Sequence, residues 1–273
     1  MPGRPPEPAA LGNVVVVLSH TTEPRNLGAV ARALKTMGLR RLRLVAPCDH
    51  LGGEARAVAH AAEDVLEAAE VFADLRAAVA DATIVAGTTS RRRQLRKTAL
   101  LSPDELARRL AEHARTETVA LLFGTERTGL TNDEVNLCRY VSYLDMAQPQ
   151  PSLNLAQAVM LFAYELRRAS RVDAARAQPR VGGVNHPHRG TRLPTQRELD
   201  TAWAHLGEAM AAVGYSDAER RKFLTYVRHL TQRAGIVNWE LQIFHLLARR
   251  VLETTGRPRF RGLPDGEGDG ETS

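Results

Sequence analysis

Apolar residues follow two rhythms along this chain. Short, mostly apolar runs at 13–18, 42–46, 83–87, 118–123 and 140–144 have strand length and no regularly alternating polar face. That is the pattern of strands buried on both sides of a sheet. Between them, apolar residues recur every three or four positions. Residues 26–38 predict a helix with Val30, Leu34 and Met37 on one stripe and a glycine at its end. The alanine-rich stretches 54–66 and 74–80 predict helices as well. Ser102 with Glu105, and Thr131 with Glu134, have the capping-box spacing that opens a helix. A long helix is predicted from Asn154 to about residue 171. Strands alternating with helices predict an α/β fold, a parallel sheet flanked by helices.

The pattern changes near Asp173. Residues 173–194 hold Pro179, Gly182, Gly183, Pro187, Pro194 and several arginines, which reads as a basic linker. Helical periodicity returns over 195–213, 216–234 and 238–254, with capping boxes at Thr195/Glu198 and Ser216/Glu219. The apolar positions Leu199, Trp203, Leu206 and Met210, then Phe223, Tyr226, Val227 and Leu230, then Leu241, Phe244, Leu247 and Val251 predict a small all-α bundle. Trp203 and Trp239 fall among them and read as core. The expected organisation is a disordered 1–12, a sheet domain over 13–172, the linker 173–194, a helical domain over 195–256 and a disordered tail over 257–273.

Composition narrows the class. A chain of 273 residues with 44% hydrophobic content can bury a sizeable core. No apolar run, the strand-length 14–18 included, approaches the ~20 residues of a membrane span, and the proline-rich start has no signal-peptide core. A cytoplasmic protein with no membrane partner is expected. Cys48 and Cys138 read as small core-like residues of a reducing compartment. The net charge of +6 admits nucleic acid as a partner. The crowding of Arg91, Arg92, Arg93, Arg96 and Lys97 into one short stretch makes them candidates for phosphate contact. His20 stands alone after a strand and reads as a solvated or satisfied histidine. His186 and His188 lack further ligands, and no other cluster has metal spacing, so no metal is expected.

Three segments carry chemistry: Asn26 to Arg32, Phe123 to Leu130, and Ser152 to Ala158. Each puts small or polar residues where a strand gives way to a helix, the place where an α/β protein offers backbone groups to a ligand. The second matches a phosphate-binding loop from Gly124 to Thr131, except that Leu130 stands where the lysine belongs. Without that lysine, and with Glu126 repelling phosphate, nucleotide hydrolysis is excluded. No G-x-G-x-x-G follows a strand, which argues against a dinucleotide site.

Taken together, these segments resemble the motifs of the SpoU (TrmH-like) branch of the SPOUT superfamily of RNA 2′-O-methyltransferases. The first is N-x-G followed by an arginine, here Asn26, Gly28 and Arg32. The second is G-x-E-x-x-G-L, here Gly124, Glu126, Gly129 and Leu130. The third is S-L-N-L-A-x-A, here Ser152 to Ala158. Within that branch the chain is similar to tRNA (cytidine/uridine-32-2′-O)-methyltransferases. The similarity includes His20, the stretch from Ala33 to Leu39, the stretch from Gly124 to Asn132, and the helical extension. The resemblance implies a trefoil-knotted domain, S-adenosyl-L-methionine as cofactor and a homodimer. General chain topology would not predict a knot.

It also implies site roles. Cofactor contacts would come from Thr88, Thr89, Ser90, Gly124, Gly129, Leu144, Pro151, Ser152 and Leu153. Arg32 would act on the substrate, either accepting the 2′-OH proton with help from the substrate phosphate or orienting phosphate and developing alkoxide. Asn26 would fix the loop presenting Arg32, Glu126 would order the knot or dimer contacts, and Asn154 would hold the third motif near the ribose. The substrate implied is tRNA at nucleotide 32 of the anticodon loop. A ribosomal RNA methyltransferase of the same fold, and a non-catalytic RNA-binding relative, are the alternatives.

Overall fold

The computed structural model describes residues 9–89, 99–147, 153–175 and 191–256. The chain divides into two compact units between Val181 and Gly182.

The first unit is built on a seven-stranded sheet. Its strands are β1 (Val14–Ser19), β2 (Arg41–Val45), β3 (Glu70–Phe72), β4 (Ile84–Thr89), β5 (Ala99–Leu101), β6 (Val119–Phe123) and β7 (Tyr140–Tyr143). They are ordered β3-β2-β1-β6-β4-β7-β5, and every pairing is parallel. The predicted runs are these strands to within a residue or two. Each residue of β1 and β6 is buried, as a two-sided strand requires. β3 and β5 were not predicted. They are three-residue edge strands, too short for a periodic signal. The order is compatible with the knot implied by the resemblance; residues 148–152, between β7 and the following helix, lie outside the described residues.

Helices α1 (Pro24–Met37), α2 (Gly53–Ala59), α3 (Glu63–Glu67), α4 (Leu75–Ala78), α5 (Pro103–His113), α6 (Asn132–Leu137) and α7 (Leu155–Ala175) flank the sheet. Gly38 closes α1 in the left-handed conformation, φ 85°, which glycine adopts without steric cost. The single helix expected over 54–66 is two helices. His60 and Ala61 between them take φ 39° and 62°, and neither residue type announces such a break. Gly28 sits where α1 crosses α2. A β-carbon there would lie 2.0 Å from the Ala55 carbonyl oxygen, so the motif glycine sets how closely the helices pack.

On β2, Arg43 is buried among polar partners. Its Nη1 donates to Asp81 at 2.5 Å and to the Ala78 carbonyl at 2.9 Å, and its Nε reaches Glu70 at 3.3 Å. Burial raises the Asp81 carboxyl, but the Arg43 hydrogen bond and charge more than offset this and hold it below the usual carboxylate range. Asp81→Asn should cost about 2 kcal/mol at neutral pH, because it leaves a buried guanidinium with fewer partners. A lowered carboxyl contributes stability above the unfolded pKa of about 4 and loses it as pH falls through the folded value. The deficit of the variant in thermal melts should therefore shrink towards acid pH.

The second unit holds α8 (Gln196–Ala212), α9 (Asp217–Ala234) and α10 (Asn238–Thr254). The predicted boxes form: Thr195 Oγ1 accepts from the Glu198 N–H at 3.3 Å and Ser216 Oγ from the Glu219 N–H at 3.4 Å. Trp203 is core, edge-on to Phe244 with ring centres 5.2 Å apart. Four expected core residues are not buried: Phe223, Tyr226, Leu230 and Leu247 are 45–58% exposed. The apolar stripe of α9 is wider than a three-helix bundle can cover, and only its Leu224 and Val227 edge packs inward.

Candidate active site

The sheet brings four strand ends into one row. β1, β6, β4 and β7 are neighbours, and the predicted site segments follow their carboxyl ends. The first motif follows β1 and the second follows β6. Thr88 and Thr89 end β4, and Leu144 follows β7 ahead of the third motif. Thr88 pairs with Ser142 and Thr89 with Tyr143, and the Thr88 hydroxyl donates to the Leu122 carbonyl at 3.2 Å. The carboxyl edge of a parallel sheet is where such folds bind ligands.

A hydrogen-bond chain ties the three motifs together. Asn154 caps α7, its Oδ1 accepting from the Ala156 N–H at 2.8 Å. Its amide nitrogen donates to Asn26 Oδ1 at 2.9 Å. The Asn26 amide nitrogen in turn donates to Glu126 Oε1 at 3.1 Å. The chain has one direction, because both of its ends are fixed. Backbone N–H groups at α7 require an oxygen, and the Glu126 carboxylate only accepts. Glu126 also receives the backbone N–H groups of Thr22 and Glu23 and the Thr22 hydroxyl, each at 3.4 Å. Thr22 was not anticipated from sequence; the only hint was its place just ahead of the helix start.

This polarity gives a sharp expectation. Asn26→Asp keeps size and shape but sets a second carboxylate against Glu126 and removes a donor. The variant should lose about 1–3 kcal/mol in chemical denaturation, the penalty for an unmet buried polar group. Unchanged stability would mean that the chain does not hold the motifs together.

The second motif folds as a closed loop. The Gly129 N–H donates to the Thr125 carbonyl at 2.9 Å, the hydroxyls of Thr125 and Thr128 meet at 2.7 Å, and Gly129 has φ 66°. A β-carbon on Gly124 would lie 2.2–2.4 Å from backbone atoms of Gly129 and Leu130. Gly124 is therefore demanded by the loop itself, before any ligand is considered. Gly87 is tight too, its missing β-carbon pointing 2.7 Å from Cys138 Sγ and 2.9 Å from Leu130 Cδ1. The capping box at Thr131 forms, with Glu134 accepting from the Thr131 N–H at 2.6 Å. Glu134 also accepts from the Ser19 hydroxyl, which meets His20 Nδ1 at 2.9 Å. His20 is exposed and satisfied, as read from sequence. Cys48, near this edge, is pushed up by burial and by the carboxylates of Glu126, Glu23 and Asp49, which makes it a poor nucleophile. Burial pushes Cys138 up as well, and both cysteines are free.

Other expected site residues are placed differently. Arg32 is exposed on α1 and takes no part in the Glu126–Asn26–Asn154 chain. It lies about 9 Å along the helix from Asn26 at the standard rise per residue. Leu153 is half-buried just before Asn154. Ser90, Pro151 and Ser152, and the basic cluster Arg91, Arg92, Arg93, Arg96 and Lys97, lie outside the described residues. Among the described residues no group of three or more His, Cys, Asp or Glu could hold a metal ion, and no helix is long and apolar enough to cross a membrane.

Comparison with known proteins agrees with this geometry. Residues 13–164 match the model of the SpoU rRNA methylase family. The tRNA (cytidine/uridine/adenosine-2′-O-)-methyltransferase TrmJ of Pseudomonas aeruginosa is 36% identical over 85% of this chain and 91% of its own length. The tRNA (cytidine/uridine-2′-O-)-methyltransferase TrmJ of Pectobacterium atrosepticum is 35% identical over 89% of this chain and 98% of its own. The crystal structure of TrmJ from Z. mobilis ZM4 superposes with a TM-score of 0.69 at 30% identity, covering 88% of this chain and 98% of that one. By sequence over most of its length and by fold, the chain belongs to the SpoU methylase family.

Proposed function

We propose that this protein is an S-adenosyl-L-methionine-dependent tRNA ribose 2′-O-methyltransferase that modifies nucleotide 32 of the anticodon loop. The observation that carries the reading is the Glu126–Asn26–Asn154 chain, which assembles all three family motifs at one sheet edge. The named tRNA-modifying relatives, matched through the helical extension, favour tRNA over ribosomal RNA. The family model's own description keeps ribosomal RNA as the competing outcome.

The residues present suit the cofactor. Gly124, just after β6, and Gly87, within β4, have no room for a β-carbon, and the side chains at the row of strand ends, Thr88, Thr89 and Leu144, carry no charge. Such a set fits an adenosine held by backbone and hydroxyl groups. Thr88, Thr89, Ser90, Gly124, Gly129, Leu144, Pro151, Ser152 and Leu153 would hold it. When bound, it supplies a methyl group already activated on a positively charged sulfur. The work left to the chain is to place the ribose hydroxyl in line and help it lose its proton. Asn154 and Asn26 hold the motif-three turn against the start of α1. Arg32 binds the flanking phosphate and stabilises the developing alkoxide. A permanently charged guanidinium with a planar fork of donors serves that task better than it serves as a base.

A homodimer is part of this reading, and Leu161 and Tyr164, one turn apart and exposed on α7, offer it a surface. The work would take place in the cytoplasm, where tRNA matures. The test is methyl transfer from labelled cofactor to total tRNA and to ribosomal RNA from cells lacking the protein. Incorporation into tRNA alone supports the reading. Incorporation into ribosomal RNA alone replaces the substrate, and cofactor binding with no transfer to either makes the protein a non-catalytic RNA binder.

A further inference from the structure

Trp239 departs from its expected place. It is half-buried and lines a cavity of about 530 Å³ between α8 and α10, within the range of small-ligand sites. Two polar stripes face this space. Asn238, Gln242 and His245 recur at helical spacing along α10, and Arg197 begins the stripe on α8. The rim is braced from several sides. The Asn238 N–H donates to the Arg192 carbonyl at 2.9 Å, and the Arg192 N–H returns to Asn238 Oδ1 at 3.2 Å. The Arg192 guanidinium is forked on Glu198 at 2.6 and 2.8 Å. His245 is pinned through Nδ1, 3.0 Å from His205 Nδ1. Burial holds both rings below the usual histidine range, so both are neutral at pH 7 and one donates to the other.

We infer that this cavity holds one unpaired nucleotide of the RNA substrate, its base against the Trp239 indole, its edge read by Gln242, and its phosphate met by Arg197. The inference rests on the RNA-methyltransferase reading and adds a second, non-catalytic RNA site to it. An indole, an amide and guanidinium groups around one opening are what proteins use to capture a base splayed out of a loop. A bundle built only for stability would close this space with leucine. Here the helices present polar side chains to it, and hydrogen bonds to neighbours fix Arg192, Asn238 and His245 at its rim. RNA loops are where unstacked bases occur, and an enzyme acting in a loop gains register from holding a second base there.

The test uses the full chain and unmodified tRNA. Trp239→Leu should weaken tRNA binding in filter assays by about tenfold or more, as expected for one lost base stack. Trp239→Phe should restore most of the affinity. Gln242→Ala and Arg197→Ala, both at exposed positions and so safe for folding, should each raise KM for tRNA by about threefold to tenfold. Binding of S-adenosyl-L-methionine by calorimetry, and kcat at saturating tRNA, should not move. If the wild type methylates tRNA and all four variants match it, the cavity site is wrong and the function stands. If the wild type neither binds nor methylates tRNA, the function itself fails and the site falls with it. Cytidine 5′-monophosphate provides the remaining arm. Micromolar binding to the cavity, with tRNA affinity unchanged in the variants, would make this a free-nucleotide site and overturn the proposal.

Discussion

Replacing Arg32 by alanine should slow single-turnover methyl transfer by on the order of 10² or more, the range seen when a positioned electrostatic or acid–base group is removed. Cofactor affinity should stay within twofold or so, because Arg32 is exposed on α1 and outside the hydrogen-bond chain that holds the motifs. The same exposure means that the fold does not depend on it, and surface substitutions of this kind change stability by roughly 0.5 kcal/mol or less. Arg32→Lys keeps the charge and loses the bidentate fork, so it should recover only part of the rate. A collapse of cofactor binding with normal turnover at saturation would make Arg32 a structural residue.

The second large effect concerns the two units. A chain ending at Val181 keeps the sheet, α7 and all three motifs, and should still bind S-adenosyl-L-methionine and dimerise. It should lose tRNA affinity by at least tenfold, since α8–α10 contribute no motif and the second RNA site proposed above lies between α8 and α10. Wild-type binding should weaken steeply between low and physiological salt, because contacts of arginine with phosphate release counterions. Filter binding of both chains at two salt concentrations reads both effects. If the shorter chain binds and methylates tRNA as well as the intact one, the helical unit serves stability or assembly instead.

The parts of the fold that could be read from sequence are those where burial acts on both faces. β1, up to its last residue Ser19, and β6 are apolar throughout because helices cover both sides of the sheet, so they appear as unbroken runs. Capping residues were equally legible, since Thr131, Thr195 and Ser216 act on neighbours three residues away. What escaped was decided at a distance or by few residues. The edge strand β3 is short and its Val71 is 54% exposed, so no alternation could reveal it. The left-handed break falls at His60 and Ala61, where no glycine announces it. The same division holds at the site. Its three motifs stood out by type and spacing, but the bond between Asn26 and Asn154 spans 128 positions, and no local pattern carries it. Gly124 was legible as a necessary glycine, although the atoms that demand it belong to its own loop. Trp239 looked like core because apolar periodicity cannot tell a filled interior from a cavity lined at one edge by polar side chains.

The central claim is the identity of the acceptor hydroxyl, and it can be tested by removing one oxygen atom. Two anticodon stem-loop tRNA substrates would be compared, one all-ribose and the other with a single 2′-deoxynucleotide at position 32. Methyl incorporation from labelled cofactor would be followed under single-turnover conditions. The account predicts full incorporation into the first and none into the second, with both RNAs bound to similar extents. Equal incorporation into the two would place the methyl group elsewhere and contradict it.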